Sequence, residues 1–218
     1  MQRFPLAAPL LTACVLAVGL AAPSGAARFS IDLSEHADSV FFRSTASLEF
    51  IEGKTAAIEG WFDFDPEQPT AGAAGLLRVD LRTLKTGIDL RDEHMRDRHL
   101  ETETYPNAFF QFVSLDGLDG PVESGRAVAG RANGWFFIHG VKRQLEADVE
   151  FTYRCHASDE STIDATVRFT IRLDDYKIKR PKALFLKLAE TIEVEVVFHA
   201  QTNREPASFD LPEWPETD

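Results

Sequence analysis

Cysteine is scarce in this chain, and its scarcity limits what can stabilise the fold. The 218 residues include two cysteines, Cys14 and Cys155. Cys14 lies in an N-terminal targeting segment, so the exported chain would keep Cys155 alone, and one cysteine cannot form an internal disulfide. The domain is therefore expected to be stabilised by its core alone. His156 follows Cys155, but consecutive side chains on a strand point in different directions, so we do not expect a catalytic thiol.

Basic charge is also in short supply. Lysine and arginine together number 23 against 35 aspartates and glutamates, which gives a net charge of -12. Nucleic acids and anionic membrane surfaces are bound through basic patches, so neither is an expected partner. The one basic cluster surrounds Pro181 and consists of Lys177, Lys179, Arg180, Lys182 and Lys187. Two interpretations of it stay open: a solvated loop, or a transient contact with lipid head groups at a membrane face.

The chain lacks the sequence patterns of common catalytic and cofactor sites. It has no glycine-rich phosphate loop, no metal-ligand spacing and no recognisable set of nucleophile, base and orienting residue. His94 and His99 are five residues apart, and a regular α-helix does not place such residues on one face. We therefore predict no catalytic residues, no metal and no cofactor. The alternative is an enzyme in which Asp92 with His94, or His139, performs acid–base chemistry.

Residues 1–27 have the character of an export signal. Arg3 precedes an uncharged apolar run at residues 6–22, and small residues follow that run, as in a cleavable signal peptide. The rest of the chain is thus expected to be periplasmic or secreted. A lipoprotein processed at Cys14 is less favoured because residues 15–22 stay apolar, and an uncleaved anchor is the third alternative.

Apolar side chains alternate with polar ones over long stretches of the second half of the chain. The clearest run has six alternate apolar positions: Ile163, Ala165, Val167, Phe169, Ile171 and Leu173. A period of two is typical of a strand with one buried face. Similar runs occur at residues 77–81, 145–151 and 192–198, and His139-Gly140 is typical of a hairpin turn. Long antiparallel strands joined by short turns favour a β-barrel of about eight strands over a sandwich.

A charged stretch at residues 88–100 interrupts the strand pattern. Its charges alternate in sign, and its few apolar residues, Ile88, Met95 and Leu100, fit one narrow face of a short helix. Pro106 then ends the helical pattern, and the alternating phenylalanines that follow predict a strand. We therefore expect a charged helix that leads through a proline turn into an aromatic strand.

The charged helix and its Tyr-Pro turn resemble the central signature of the YceI-like family, with RDEHMRDRHLETETYP at residues 91–106. Further segments resemble other motifs of that family: FSIDLSEHADSVFF at 29–42, VDLRTLKTG at 79–87, GWFFIHGVKRQLEADVEF at 134–151 and LDDYKIKRP at 173–181. Taken in order, these motifs cover about residues 29–200. One departure is the sequence ETET at residues 101–104, where the family often carries a double phenylalanine, so a more polar lip is expected.

The YceI-like family comprises bacterial, mostly periplasmic, lipocalin-like barrels thought to bind polyisoprenoid lipids. The resemblance implies an all-β, lipocalin-like antiparallel barrel of about eight strands over residues 28–201, with one short helix at the lip. Residues 202–218 would form an acidic, proline-containing tail, disordered unless Phe209 or Trp214 docks on the barrel. The resemblance also implies an exported binding protein, not an enzyme. Such a protein would hold a long isoprenoid or quinone-type lipid in an apolar tunnel, for transport, storage or stress protection.

Seven inward positions are predicted to line the tunnel: Phe42, Val79, Leu81, Phe110, Phe112, Phe151 and Phe169. Arg91, Asp92 and His94 are predicted, from the matching signature, to contact the polar end of the lipid at the lip. Phenylalanine has no polar tip, so the 17 phenylalanines suit either a solid core or an apolar tunnel. The sequence therefore leaves open a filled barrel with a structural or stress-linked role, an enzyme acting on a bound lipid through the lip residues, and a homodimer.

Overall fold

The computed structural model describes residues 25–31, 38–45, 50–157, 160–180, 182–183, 186–187, 189–202 and 209. The strands are β1 (Ala27–Ile31), β2 (Ser39–Thr45), β3 (Phe50–Thr55), β4 (Ile58–Phe64), β5 (Ala74–Asp80), β6 (Asn107–Asp116), β7 (Ala127–Ile138), β8 (Val141–Cys155), β9 (Ser161–Arg172), β10 (Lys182–Ala183), β11 (Leu186–Lys187) and β12 (Thr191–Gln201). The helical segments are α1 (Asp89–His94), a π-helical turn (Met95–His99) and the 3-10 turns Leu81–Thr83 and Leu173–Tyr176. Strands dominate, as the alternation predicts.

Eight of the strands form a closed antiparallel barrel. Around the ring the order is β1-β4-β5-β6-β7-β8-β9-β12. The ring closes where Ser30 of β1 pairs with Gln201 of β12. Closure matters because a closed ring leaves no sheet edge along its circumference. The predicted fold class, an all-β lipocalin-like barrel with one short helix, is confirmed.

The hairpin of β2 and β3 extends the barrel wall. β2 pairs with residues 193–197 of β12, a part of that strand that β1 does not reach. β3 then meets the chain after β5, where Lys54 and Lys85 exchange two backbone hydrogen bonds of 2.9 and 3.0 Å. The hairpin therefore carries the inward-facing Phe42 into the wall of the barrel.

The two faces of each long strand have opposite character, because successive side chains point to opposite sides of a sheet. Ile163 and Ile171 of β9 are buried inside the barrel. Arg168 lies between them on the outer face and forms ion pairs with Glu150 of β8 and Glu195 of β12. The inner side chains form two apolar clusters, and the outer ones carry the charge.

One strand ends earlier than the alternation predicts. Leu81 continues the alternating pattern, but β5 ends at Asp80 and Leu81 begins a 3-10 turn. The Asp80 carboxylate accepts hydrogen bonds from the backbone N–H and the side chain of Arg82, which turns the chain. Leu81 is nevertheless buried with its side chain toward the interior.

A smaller apolar cluster lies on the outside of the barrel. Leu76, Phe109 and Phe137 are buried there, with Trp61 and Phe209 packed against them. The ring centroids of Phe209 and Phe109 are 6.3 Å apart. Phe209 of the tail therefore docks on the barrel, which the sequence left undecided.

The targeting prediction falls on residues that the structure does not describe. Residues 1–24, with Cys14, lie outside the described part of the chain, as does Trp214 of the tail. Among the described residues, no helix is long and apolar enough to cross a membrane. The division into a signal, a domain at residues 28–201 and a tail stays a prediction.

Candidate binding cavity

The barrel encloses a cavity of about 580 Å³. Its wall is built almost wholly from the inward apolar side chains of the strands, together with residues of α1 and the π-helical turn. Small-molecule sites in proteins typically measure about 300–1,000 Å³ and are largely apolar. The barrel is therefore hollow, and the filled alternative does not describe it.

All seven positions predicted to line a tunnel lie on the cavity wall: Phe42, Val79, Leu81, Phe110, Phe112, Phe151 and Phe169. Most belong to the ring strands, whereas Phe42 comes from the β2–β3 hairpin and Leu81 from a 3-10 turn. Phe169 packs edge-on against Phe136, with 5.5 Å between ring centroids. Their position agrees with the alternation, and their role in binding a ligand stays a prediction.

Small residues create the space, although only larger inward residues were predicted to line the tunnel. Ala108, Ala132, Ala147 and Ala165 are buried and line the cavity. Ala132 and Ala147 stand directly opposite each other on β7 and β8. A methyl group leaves room where a leucine or phenylalanine would fill the interior. The available signal was the occurrence of alanine at inward positions of strands whose other inward residues are large.

One end of the cavity opens at a mouth formed by Thr86, Ile88, Leu90, Arg91, His94, His99 and Lys179. Ile88 is 51% exposed and Leu90 is 62% exposed. These aliphatic side chains continue the apolar wall onto the surface. An apolar chain can therefore pass from the surface into the cavity along a continuous apolar path.

The three predicted lip residues differ in position. Arg91 and His94 line the cavity, but Asp92 does not. Asp92 is buried, and its carboxylate accepts hydrogen bonds from the Thr86 N–H at 2.7 Å and from the Thr86 hydroxyl. Arg91 donates to the same residue, from Nε to Oγ1 at 2.7 Å and from Nη2 to the carbonyl oxygen at 3.1 Å. Asp92 thus fastens α1 to the preceding loop.

The protonation of Asp92 follows from these contacts. Burial by itself would raise the pKa of Asp92, but the hydrogen bonds from Thr86 and the nearby charge of Arg96 outweigh it. The net result is a pKa below the ordinary aspartate value. Asp92 is therefore ionised at neutral pH and suited to hold the loop.

The lip helix is not a regular α-helix, contrary to the expectation on which the separation of His94 and His99 was based. In the π-helical turn, Leu100 donates to the carbonyl oxygen of Met95 at 2.9 Å, a bond that spans five residues. His94 and His99 consequently both line the cavity. Among the described residues, no three potential metal ligands of the His, Cys, Asp or Glu type cluster together.

His139, the other histidine considered for acid–base chemistry, lies away from the cavity. It occupies the β7–β8 turn, and its Nδ1 is 3.1 Å from the carbonyl oxygen of Tyr176. Its Nε2 is 3.8 Å from the Glu101 carboxylate, and its ring packs on Tyr105. His139 thus links the end of the lip segment to the barrel.

The family assignment rests on a match over most of the described barrel. The family model for the YceI-like domain matches residues 29–200. The chain belongs to the YceI-like family. The segment at residues 91–106 that resembles the family signature includes most of α1 and the π-helical turn, and it contributes Arg91, His94 and His99 to the mouth. Comparison with curated proteins found no match.

Solved structures of three bacterial proteins share the fold. BcnA of Burkholderia cenocepacia is 17% identical, with a TM-score of 0.58 over 78% of this chain and 98% of that chain. A polyisoprenoid-binding domain from Saccharophagus degradans, implicated in plant cell wall breakdown, is 17% identical, with a TM-score of 0.59 over 81% and 98%. The Campylobacter jejuni YceI protein is 19% identical, with a TM-score of 0.51 over 67% and 84%. At these identities the likeness shows the fold alone.

The basic cluster of this YceI-like chain is only partly free at the surface. Lys177 and Lys179 are exposed, and Lys179 lines the mouth. Arg180 instead forms ion pairs with Glu190 at 3.1 Å and Asp174 at 3.7 Å. The side chain of Lys182 lies outside the described part of the structure.

Proposed function

We propose that this YceI-like protein binds a long apolar lipid of the isoprenoid or quinone type inside the barrel. The apolar cavity of about 580 Å³, open at an apolar mouth, is the observation that carries the proposal. Transfer of hydrocarbon from water into such a cavity is favourable by about 0.8 kcal/mol for each buried CH₂ group. The solved polyisoprenoid-binding domain of the same fold supports this class of ligand.

The same proposal makes the protein an exported carrier or store, in a periplasmic or secreted location. Binding without catalysis is favoured because His139 lies away from the cavity, and because Asp92, the acid–base partner considered for His94, does not line it either. Lys177 and Lys179, together with the exposed Ile88 and Leu90, are suited to a transient contact with a membrane that supplies or receives the lipid. A homodimer is not required for this mechanism.

Native mass spectrometry of the protein purified from its own cell envelope tests the proposal. We expect a stoichiometric adduct whose mass, after organic extraction, is that of an isoprenoid lipid. A protein that carries no lipid and also takes up no added prenyl lipid would contradict it.

A matched pair of variants shows whether the lipid occupies the cavity. Ala147 lines the cavity, whereas Ala129 of the neighbouring strand is exposed on the outer face. Ala147→Leu fills space that the ligand would use, so we expect at least about a tenfold loss of affinity for an added prenyl lipid. Ala129→Leu should bind as the unchanged protein does. If both variants bind the prenyl lipid with equal affinity, the lipid does not occupy the cavity.

A further inference from the structure

His99 borders the mouth of the cavity with one ring nitrogen already engaged. Its Nδ1 lies 2.7 Å from the backbone carbonyl oxygen of Lys179. A carbonyl oxygen only accepts hydrogen bonds, so Nδ1 must carry the hydrogen. In a neutral imidazole the other nitrogen, Nε2, is then unprotonated and can only accept. The contact with Lys179 therefore decides the tautomer of His99.

Burial and the neighbouring positive charges favour the neutral form of the His99 imidazole. Burial lowers the pKa of His99, and the charges of His94 and Arg98 act in the same direction, while the bond to the Lys179 carbonyl opposes them. The pKa of His99 consequently lies below the usual value of about 6.5. At neutral pH, Nε2 is therefore a hydrogen-bond acceptor.

The neighbouring polar groups at the mouth are largely committed to one another. Arg91 donates to Thr86, and the Thr86 hydroxyl donates to Asp92. Within the described part of the chain, no protein group forms a hydrogen bond with Nε2 of His99. Nε2 can therefore accept a hydrogen bond from a donor group on a bound ligand.

We propose that Nε2 of His99 accepts a hydrogen bond from a hydroxyl group on the polar end of the bound lipid. The mouth then prefers a prenol or a quinol to the corresponding ether or quinone, whose oxygen atoms can only accept. This inference rests on the proposed function, because it specifies the head group of the same lipid.

Binding of matched ligands at neutral pH tests the inference. Geranylgeraniol and its methyl ether have the same tail and differ in one hydroxyl hydrogen. A single neutral hydrogen bond is expected to make the alcohol bind about threefold to tenfold more tightly. A quinol and its quinone, compared under reducing and oxidising conditions, show whether a phenolic hydroxyl is accepted as well as an alcohol. Preference for either hydroxyl compound supports the inference.

Variants at His99 and at an exposed position of the lip segment separate this role from general packing. His99→Phe should keep affinity for the ether but lose the preference for the alcohol, whereas His99→Gln, whose amide oxygen can accept, should retain it. Glu103→Gln, at an exposed position of the lip segment that does not line the cavity, should leave the preference unchanged. As the pH falls through the pKa of His99, Nε2 gains a hydrogen and the preference should disappear.

Three kinds of outcome would overturn the inference, and each identifies a different step of the argument as incorrect. If neither the alcohol nor the ether binds, the proposed function fails as well. If both bind equally, or the preference survives in His99→Phe, the lipid is bound but His99 does not select its head group. If geranylgeranyl diphosphate binds more tightly than the alcohol and loses that advantage in Lys179→Met, the lysine selects an anionic head group instead.

Discussion

At the scale of single residues, the barrel interior depends on glycine where two strands approach closely. Gly134 of β7 lies opposite Phe112, next to an irregularity in β6 between Phe112 and Ser114. A methyl group at this position would overlap the carbonyl oxygen of Gln111 and lie 2.8 Å from Cζ of Phe110. Because a backbone carbonyl cannot move aside as a flexible side chain can, the position requires glycine.

Gly134→Ala should therefore destabilise the protein by about 1–3 kcal/mol, through strain of the strand pair and displacement of the Phe110 ring. Gly120 is the matched control, because an added methyl group would meet nothing within 4 Å. Gly120→Ala should change the free energy of unfolding by less than about 0.5 kcal/mol. Urea denaturation of both variants measures the difference, and equal stabilities would show that β6 and β7 can separate freely.

Left-handed backbone conformation at Lys177 predicts a stabilising substitution. Lys177 has a φ of 57° and closes the Leu173–Tyr176 turn, and its side chain is exposed. Lys177→Gly should raise the free energy of unfolding by about 0.5–1 kcal/mol, since glycine adopts this conformation without a steric penalty but loses more entropy on folding. Lys177→Ala keeps the strain and should give no gain. A thermal scan in which alanine and glycine stabilise equally would contradict the strain argument.

At the scale of secondary-structure elements, the lip is an irregular helix that side-chain contacts position at its start and at its end. Asp92 holds the loop that precedes α1 through Thr86. Beyond the π-helical turn, Glu101 adopts a φ of 49° and its carboxylate approaches His139 at the β7–β8 turn. The lip segment between these two contacts lies outside the barrel sheet, and the contacts position it relative to the barrel.

Asp92→Asn should weaken the contact between α1 and the loop that precedes it, and the size of this effect should depend on pH. The pKa of Asp92 is lowered in the folded protein, so its carboxylate stabilises the fold above the unfolded value of about 3.9. That contribution is lost as the pH falls through the lower, folded pKa. The stability difference between the unchanged protein and Asp92→Asn should therefore be greatest near neutral pH and disappear in strong acid.

Urea unfolding between pH 7 and pH 3 measures this difference. The exposed Glu103, on the same lip segment, provides the control variant Glu103→Gln, which should match the unchanged protein throughout. A difference for Asp92→Asn that stays constant down to pH 3 would mean that the ionised carboxylate is not what holds the loop.

At the scale of the whole molecule, an acidic barrel presents an apolar mouth. The chain carries a net charge of -12, and cross-strand ion pairs on the outer face, such as those of Arg168, neutralise only part of its acidic side chains. The mouth instead exposes Ile88 and Leu90 and is also lined by the exposed Lys179. The membrane contact proposed above would then involve the mouth, in an orientation that keeps the rest of the surface in water.

Replacement of both exposed aliphatic residues, Ile88→Ser with Leu90→Ser, should lower partition onto phosphatidylethanolamine–phosphatidylglycerol vesicles by about tenfold. Val113→Ser is the control, because Val113 is 50% exposed on β6 and does not line the mouth. High salt should weaken only the part of binding due to lysine. Vesicle co-sedimentation measures the partition, and an unchanged value in the double variant would exclude this orientation.

The sequence by itself determined most of the long strands, their inward faces and the family. Alternation is a local property with a period of two, so it identified Val79, Phe110 and Phe169 as inward residues without knowledge of their neighbours. The ordered motifs identified the YceI-like family over residues 29–200, which the family match confirms.

Only the tertiary structure decided the shape of the interior and the contacts of the lip. The hollow depends on Ala132 and Ala147 meeting across two strands, and such pairings follow from long-range register. The role of Asp92 in holding the loop before α1 became visible only in the fold, where its carboxylate is buried against Thr86. The tautomer of His99 depends on a carbonyl group 80 residues along the chain, a contact that no local pattern encodes.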